Sequence, residues 1–225
     1  AKFPNVLLCH HVLGQGYRNP ALTAKMAATL QMLSGNRFIL GIGAGWRDDE
    51  YKAYGYEFPR PAVRFAELEE LIQICRLMWT QDAPTFTGKH FHITEAAAPP
   101  KPEVVPPVCI GAYGEQIGLP MVGRLADMWN ASTQGNLERW LVKRDIVRAS
   151  AEKSGRNPSD IHISLTVEKP LPNTDEESEK LRSELQTMAD HGVEHFVMDF
   201  GHPQSTEPVM RFVEQVLQPM KAARK

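Results

Sequence analysis

The residues of this chain that could do chemistry sit in a few short stretches, most of them at the end of an apolar run. The densest is Arg37 to Glu50, RFILGIGAGWRDDE, where Phe38-Ile39-Leu40 lead into Gly41, Gly43 and Gly45, and Trp46, Asp48, Asp49 and Glu50 follow. Glycines so closely spaced let a flat or anionic group approach the main chain, as in a dinucleotide-binding turn or at the end of a barrel strand. His10-His11 closes an earlier apolar run, and an imidazole there could donate a hydrogen bond or a proton near neutral pH. Gly111-Ala112-Tyr113-Gly114 follows Val108-Cys109-Ile110 and leads towards a helix, a place that favours an anion. Trp129-Asn130 ends another short apolar run. His90-x-His92 lacks a third ligand, so no metal site is expected from it. Asp48, Asp49 and Glu50 read as a helix start and a solvated face, with one site carboxylate as the alternative.

Composition narrows the function classes. The chain has 225 residues, 42% hydrophobic and 23% charged, which suits one large globular domain across residues 1–225. A net charge of −2 gives no reason to expect nucleic acid or an anionic membrane as partner. No apolar run approaches the roughly 18 residues that would span a bilayer. Cys9, Cys75 and Cys109 are odd in number and far apart, which fits neither a disulfide framework nor a zinc site. Reduced thiols and a cytoplasmic location are the expectation.

The elements that must position these residues alternate strand and helix. Asn5 to His10 reads as a strand. A helix then starts with Asn19 as cap and Pro20 at its first position, and Leu22, Met26, Leu30 and Leu33 make one apolar face. Arg37 to Ile42 is the next strand, and Pro61 to Trp79 a helix with Leu68, Leu71, Cys75 and Met78 on one side. Residues 84–106 interrupt the rhythm with a small hairpin and a proline-rich connection. Val108 to Ile110, Met128 to Ala131, Ile161 to Val167 and His195 to Phe200 are further strands. Each is followed by a helix: to about Ala126, Asn136 to Ser154, Thr174 to Asp190 with a capping box, and Thr206 to about Ala222. Such βα alternation makes either an open doubly wound sheet or a barrel, and in both the chemistry gathers at the C-terminal ends of the strands.

GIGAGW is not G-x-G-x-x-G, and the region about 20 residues on is a proline-punctuated loop and helix without the expected acidic residue at a strand end. The dinucleotide reading is therefore weak. Instead, YRNPALTAKMAATLQMLSGNRFILGIGAGWRDDEYKAYG, FTGKHF, PPVCIGAYGE, RLADMWNAS and GVEHFVMDFG occur in the order and spacing of the luciferase-like monooxygenase family. The resemblance is strongest to its branch that uses the deazaflavin coenzyme F420. It implies an α/β fold of the (β/α)8 TIM-barrel type, with the cofactor at the C-terminal face.

Carried over by position, the resemblance places the segment around His10, His11 and Val12 under the ring, often with a non-prolyl cis peptide, and makes either histidine a candidate catalytic group. A His-His pair is unusual for the family there. Gly41, Gly43 and Gly45 would let the ring approach, and Gly111, Ala112, Tyr113 and Gly114 would hold the cofactor phosphate. Pro120 departs from the pattern and implies a later start for the following helix. Trp46, Trp129 and Asn130 would line the substrate pocket.

The implied activity is F420-dependent hydride transfer to or from a small organic substrate. The alternatives are monooxygenation with reduced FMN, and a truncated, non-catalytic flavin-binding protein. A homodimer is usual for similar proteins. Family members begin with two further βα units, so the chain reads as N-terminally incomplete, a piece of a longer protein in preference to a natural truncation.

Overall fold

The central strand of the fold is β3 (Phe38–Gly43), buried at all six positions. The near-continuous apolar run read from the sequence is what a strand covered on both faces requires. In the computed structural model, which describes residues 3–200 and 205–223, the chain forms two compact units. One comprises the chain up to Asn130 together with Leu141–Ile161; the other comprises Ala131–Trp140 and the chain from His162 onward. Among the described residues no helix is long and apolar enough to cross a membrane.

The first unit runs β1 (Leu8–Cys9), β2 (Leu13–Gly14), α1 (Pro20–Ser34), β3, α2 (Asp48–Ala53), α3 (Pro61–Thr80), the hairpin strands β4 (Phe86–Thr87) and β5 (His92–Ile93), β6 (Val108–Gly111), α4 (Gly118–Leu125), the start of β7 (Met128–Ser132) and, from Leu141, α5 (Leu137–Lys153). β1 and β2 pair in parallel with one edge of β3, and β6, itself followed by β7, pairs with the other.

The expected strand from Asn5 to His10 is not continuous. Cys9 lies opposite Ile39 and Leu13 opposite Ile42, so the outer chain advances four residues while β3 advances three. His10, His11 and Val12 therefore form a one-residue bulge, with a cis His11–Val12 peptide. A bulge re-aims side chains and ends regular pairing, as this one does between β1 and β2.

α1 begins as read: Asn19 Oδ1 accepts from the Ala21 and Leu22 amides (2.9 and 3.4 Å), with Pro20 at the first position. Gly35, at φ 68°, closes it. Its orientation is a correction to the simple reading of its apolar row. Leu22, Met26 and Leu33 are 51%, 42% and 79% exposed, whereas Thr23, Ala24, Ala27, Ala28 and Gln31 face inward. Small side chains let α1 approach α3 closely enough for the Trp79 indole N–H to reach the Ala24 carbonyl (2.9 Å). Gln31 accepts from the Phe38 amide and donates to the Val104 carbonyl, so a polar residue holds the start of β3.

α3 buries Leu68, Leu71, Cys75 and Met78 as read. It also carries Glu70, which accepts from the backbone amides of Lys89, His90 and Phe91 at 2.7 to 2.9 Å and so anchors the hairpin. Burial works to raise the Glu70 pKa, but the three amides outweigh it and hold the carboxyl below the ordinary glutamate range.

The second unit holds β8 (His162–Val167) and β9 (His195–Met198), paired in parallel, with α6 (Asp175–Asp190) between them. Thr174 caps α6 by accepting from the Glu177 amide (3.1 Å); Glu177 reaches back to the Asn173 amide (2.6 Å), one residue earlier than a regular capping box. The chain ends in α7 (Glu207–Phe212), a π turn over Val213–Leu217 and α8 (Gln218–Ala223). Val167, Leu171, Leu181, Leu185, Phe212 and Val216 form the core. β9 stops at Met198, two residues short of the expected strand, and Gly201, which closes the last matched motif, lies outside the described residues. Beside β9 is an apolar cavity of about 430 Å³, lined among others by Leu185, Phe196, Met198, Phe212, Val216 and Met220.

Because the folded Glu70 pKa lies below its unfolded value, its contribution is complete above the unfolded pKa and is lost as pH falls through the folded one. Glu70→Gln should therefore lower the melting temperature at pH 7, with a gap to the parent that narrows towards pH 3. Thermal melts across that range check this, and a gap independent of pH would contradict it.

Candidate active site

The C-terminal ends of β3 and β6 are built around missing side chains. A Cβ on Gly43 would come within 3.1 Å of both Val12 Cγ2 and the Gly111 carbonyl oxygen, and one on Gly111 within 2.8 Å of Val12 Cγ2. A Cβ on Gly41 would run into the His10 carbonyl. The sequence reading had these glycines receiving a flat ring directly. In the structure the His10–Val12 bulge occupies the space next to Gly41, Gly43 and Gly111, and Tyr51 that next to Gly45. The structure thus brings Gly41, Gly43, Gly111, His10 and Val12 together.

His10 and His11 are both exposed on this bulge. The His10 ring meets Phe38 edge-on (5.6 Å, 86°). Partial burial, and secondarily the Arg18 guanidinium, push its pKa below the ordinary histidine value. The lowered pKa favours the uncharged imidazole, the form that can accept a proton.

At the end of β3, Gly45 turns with φ 77°, a conformation that glycine adopts without penalty. Tyr51 is 1% exposed, and its hydroxyl would lie 2.5 Å from a Cβ on Gly14 and 2.6 Å from one on Gly45. Tyr17 stacks on Tyr51 (4.4 Å, 28°) and donates to Glu50 (3.0 Å). Burial and that carboxylate raise the Tyr17 pKa to about 12. Asp48 pairs with Lys52 (2.8 Å) and Asp49 with Arg47 (2.7 Å). The three acids thus form the first turn of α2, where they suit the helix dipole, and each has a partner. Trp46 is 83% exposed and meets the Arg47 guanidinium at 5.5 Å.

The Gly111–Gly114 loop joins β6 to α4. α4 starts only at Gly118, so Pro120 falls in the first turn, where no amide needs a helical partner; this is the later start expected from Pro120. Trp129 was expected to wall a pocket. It is instead wholly enclosed, and its indole N–H donates to the Ala112 carbonyl (2.9 Å), so it braces the loop from behind. Asn130, opposite Gly111 in the strand register, is also buried.

Two further residues escaped the sequence reading. Arg64 of α3 donates to the Ala44 and Pro59 carbonyls (3.0 and 2.7 Å) with its guanidinium 3.7 Å from the Phe58 ring centroid. Lys143 of α5 is 2% exposed and donates to the Tyr113 carbonyl (3.0 Å) and to Glu115 (2.6 Å). A signal existed for both. Arg64 lies on the row Leu68, Leu71, Cys75, Met78, and Lys143 on the row Trp140, Val147, Ala151, so each is a cation at a position helical spacing assigns to the core.

A sequence model of luciferase-like monooxygenases matches residues 9–216. The chain belongs to the luciferase-like monooxygenase family. Among its relatives, the F420-dependent glucose-6-phosphate dehydrogenase of Amycolatopsis mediterranei (strain U-32) is 32% identical over 165 residues, covering 69% of this chain and 49% of the relative. The phthiodiolone/phenolphthiodiolone dimycocerosates ketoreductase of Mycobacterium kansasii is 33% identical over 214 residues, covering 88% and 57%. The luciferase-like chain therefore spans about half the length of these relatives. Among solved structures, an F420-dependent secondary alcohol dehydrogenase in complex with an F420-acetone adduct superimposes with a TM-score of 0.78 at 20% identity, covering 94% of this chain and 79% of that one. The monooxygenase RslO1 from Streptomyces bottropensis gives 0.77 at 14%, covering 96% and 78%. At such identities the likeness shows the fold, which is of the (β/α)8-barrel type.

An NMR titration of the ring protons should give His10 a midpoint below the ordinary histidine value, and Arg18→Gln should move it upward. A midpoint above that value in the parent chain would contradict the environment described here.

Proposed function

We propose that this luciferase-like chain belongs to an F420-dependent oxidoreductase that moves a hydride between the deazaflavin and a carbon of a small organic substrate. The observation that carries this reading is the His10–Val12 bulge seated on Gly41, Gly43 and Gly111, one strand away from the braced Gly111–Gly114 loop. The family membership and the F420-dependent relatives support it. A ring would lie against Val12, and Tyr113 and Gly114 would hold the phosphate. When bound, the deazaflavin supplies the hydride acceptor or donor. His10, whose lowered pKa favours the uncharged form, would take the hydroxyl proton of an alcohol as its carbon gives up the hydride to the deazaflavin, which leaves a carbonyl; His11 is the other candidate for that task. Exposed Trp46 would form an aromatic wall of the substrate site.

The second reading, monooxygenation with reduced FMN and oxygen, has support in the fold likeness to a monooxygenase. Titration with F420 and with FMN, followed by tryptophan fluorescence, separates the two. Saturable quenching by F420 at lower concentration than by FMN is expected, and His10→Ala should leave that binding within a few-fold while depressing turnover by about 10²-fold or more. Preference for FMN would overturn the F420 reading.

The homodimer expected from the resemblance has a surface to form on. The outward row of α1, Leu22, Met26, Leu30 and Leu33, is nearly free of charge: Lys25 is the single ionisable residue of the helix. Half-exposed Val104 and Val105 extend it beside Gln31. Burying a leucine contributes about 1.5–3 kcal/mol. Leu33→Glu should accordingly convert a dimer to a monomer in sedimentation equilibrium without unfolding it; an unchanged mass would reject this face.

A further inference from the structure

We infer that Lys143 and Trp129 are positioning residues that aim the backbone amides of Tyr113 and Gly114 outward, towards the anionic part of the cofactor. The inference rests on the reading that this loop holds a phosphate. Across a trans peptide the carbonyl of one residue and the N–H of the next point in opposite directions. Trp129 Nε1 holds the Ala112 carbonyl at 2.9 Å, so the Tyr113 N–H faces away from Trp129. Lys143 Nζ holds the Tyr113 carbonyl at 3.0 Å, so the Gly114 N–H faces away from Lys143. Two consecutive peptide planes are thereby fixed from behind with their donors on the opposite side.

Both braces spend buried polar atoms on this loop. Trp129 is fully enclosed, and its single polar atom is spent on the loop. Lys143 is 2% exposed, and an ammonium that deep is costly unless its hydrogens are used. It uses them on the Tyr113 carbonyl and on Glu115, and it sits 4.0 Å from the Tyr113 ring centroid. Glu115, 44% exposed, balances the charge. Lys143 also places a positive charge behind a loop proposed to receive a phosphate, and hydrogen bonds between fixed amides and an anion are the strong kind. Lys143 therefore acts on the anion through the loop, without contact.

The test compares F420 with its phosphate-free deazaflavin core, by fluorescence titration on the parent chain, Lys143→Met, Trp129→Phe and Glu115→Gln. The parent should bind F420 more tightly than the core. Lys143→Met and Trp129→Phe should weaken F420 by about tenfold or more while leaving the core within about twofold. Inorganic phosphate should compete with F420 on the parent and lose that effect in Lys143→Met. Glu115→Gln, which keeps Lys143 on the Tyr113 carbonyl, should retain F420 binding. Equal weakening of F420 and the core in folded variants would reduce the two residues to structural supports and overturn the inference. Should Lys143→Met fail to fold, Trp129→Phe and Glu115→Gln carry the comparison, and loss of F420 binding in Glu115→Gln alone would overturn it. A parent that binds neither ligand would instead refute the cofactor reading itself.

Discussion

The site depends on a one-residue mismatch between neighbouring strands and on three side chains that are not there. Between Cys9 and Leu13 the outer chain carries one residue more than β3 does over the same distance, and the surplus has to leave the plane of the sheet. It is accommodated over Gly41, Gly43 and Gly111, where any Cβ would collide with the His10 carbonyl or with Val12. In this way a surplus residue that would ordinarily disrupt pairing becomes a fixed platform presenting His10 and His11. Gly41 and Gly43 are thus explained by the bulge laid on them, and Gly45 by its φ of 77° and the Tyr51 hydroxyl beside it.

Long basic side chains hold carbonyl groups at both ends of the sheet. Arg64 takes the Ala44 carbonyl and Lys143 the Tyr113 carbonyl. At the opposite end of the sheet, on the connection from α4 into β7, Arg76 reaches the Leu125 carbonyl (2.6 Å) and Asp127, and Arg156 reaches the Gly123 and Ala126 carbonyls (2.9 and 2.7 Å). A long basic side chain rising from a helix can satisfy the unpaired carbonyls at a helix or strand end, and those carbonyls in turn make its burial tolerable. Each such brace fixes a peptide plane and hence the direction of the next N–H. At the C-terminal strand ends, Arg64 of α3 and Lys143 of α5 hold the Ala44 and Tyr113 carbonyls in this way.

Much of this was legible in the sequence. Asn19-Pro20 and Gly35 set the ends of α1, and apolar runs located β3, β6 and β8. The motif blocks led to the family. The bulge was not readable, because it is a register mismatch between two strands and belongs to neither alone. The outward turn of Leu22, Met26 and Leu33 was hidden because spacing finds an apolar row but does not say which row a close helix neighbour selects; small residues won here. Trp129 shows the same limit, since a tryptophan at a strand end points either to a pocket or into the core. Lys143 and Arg64 were passed over for the opposite reason: their charge outweighed their position on a buried row.

The central claim is that the bulge and the braced loop together receive a deazaflavin. A crystal structure of the chain with F420 tests it most directly. The account predicts the ring packed on Val12, within reach of His10, and the phosphate on the Tyr113 and Gly114 amides. A ring in the apolar cavity beside β9, or a phosphate away from Gly111–Gly114, would contradict it.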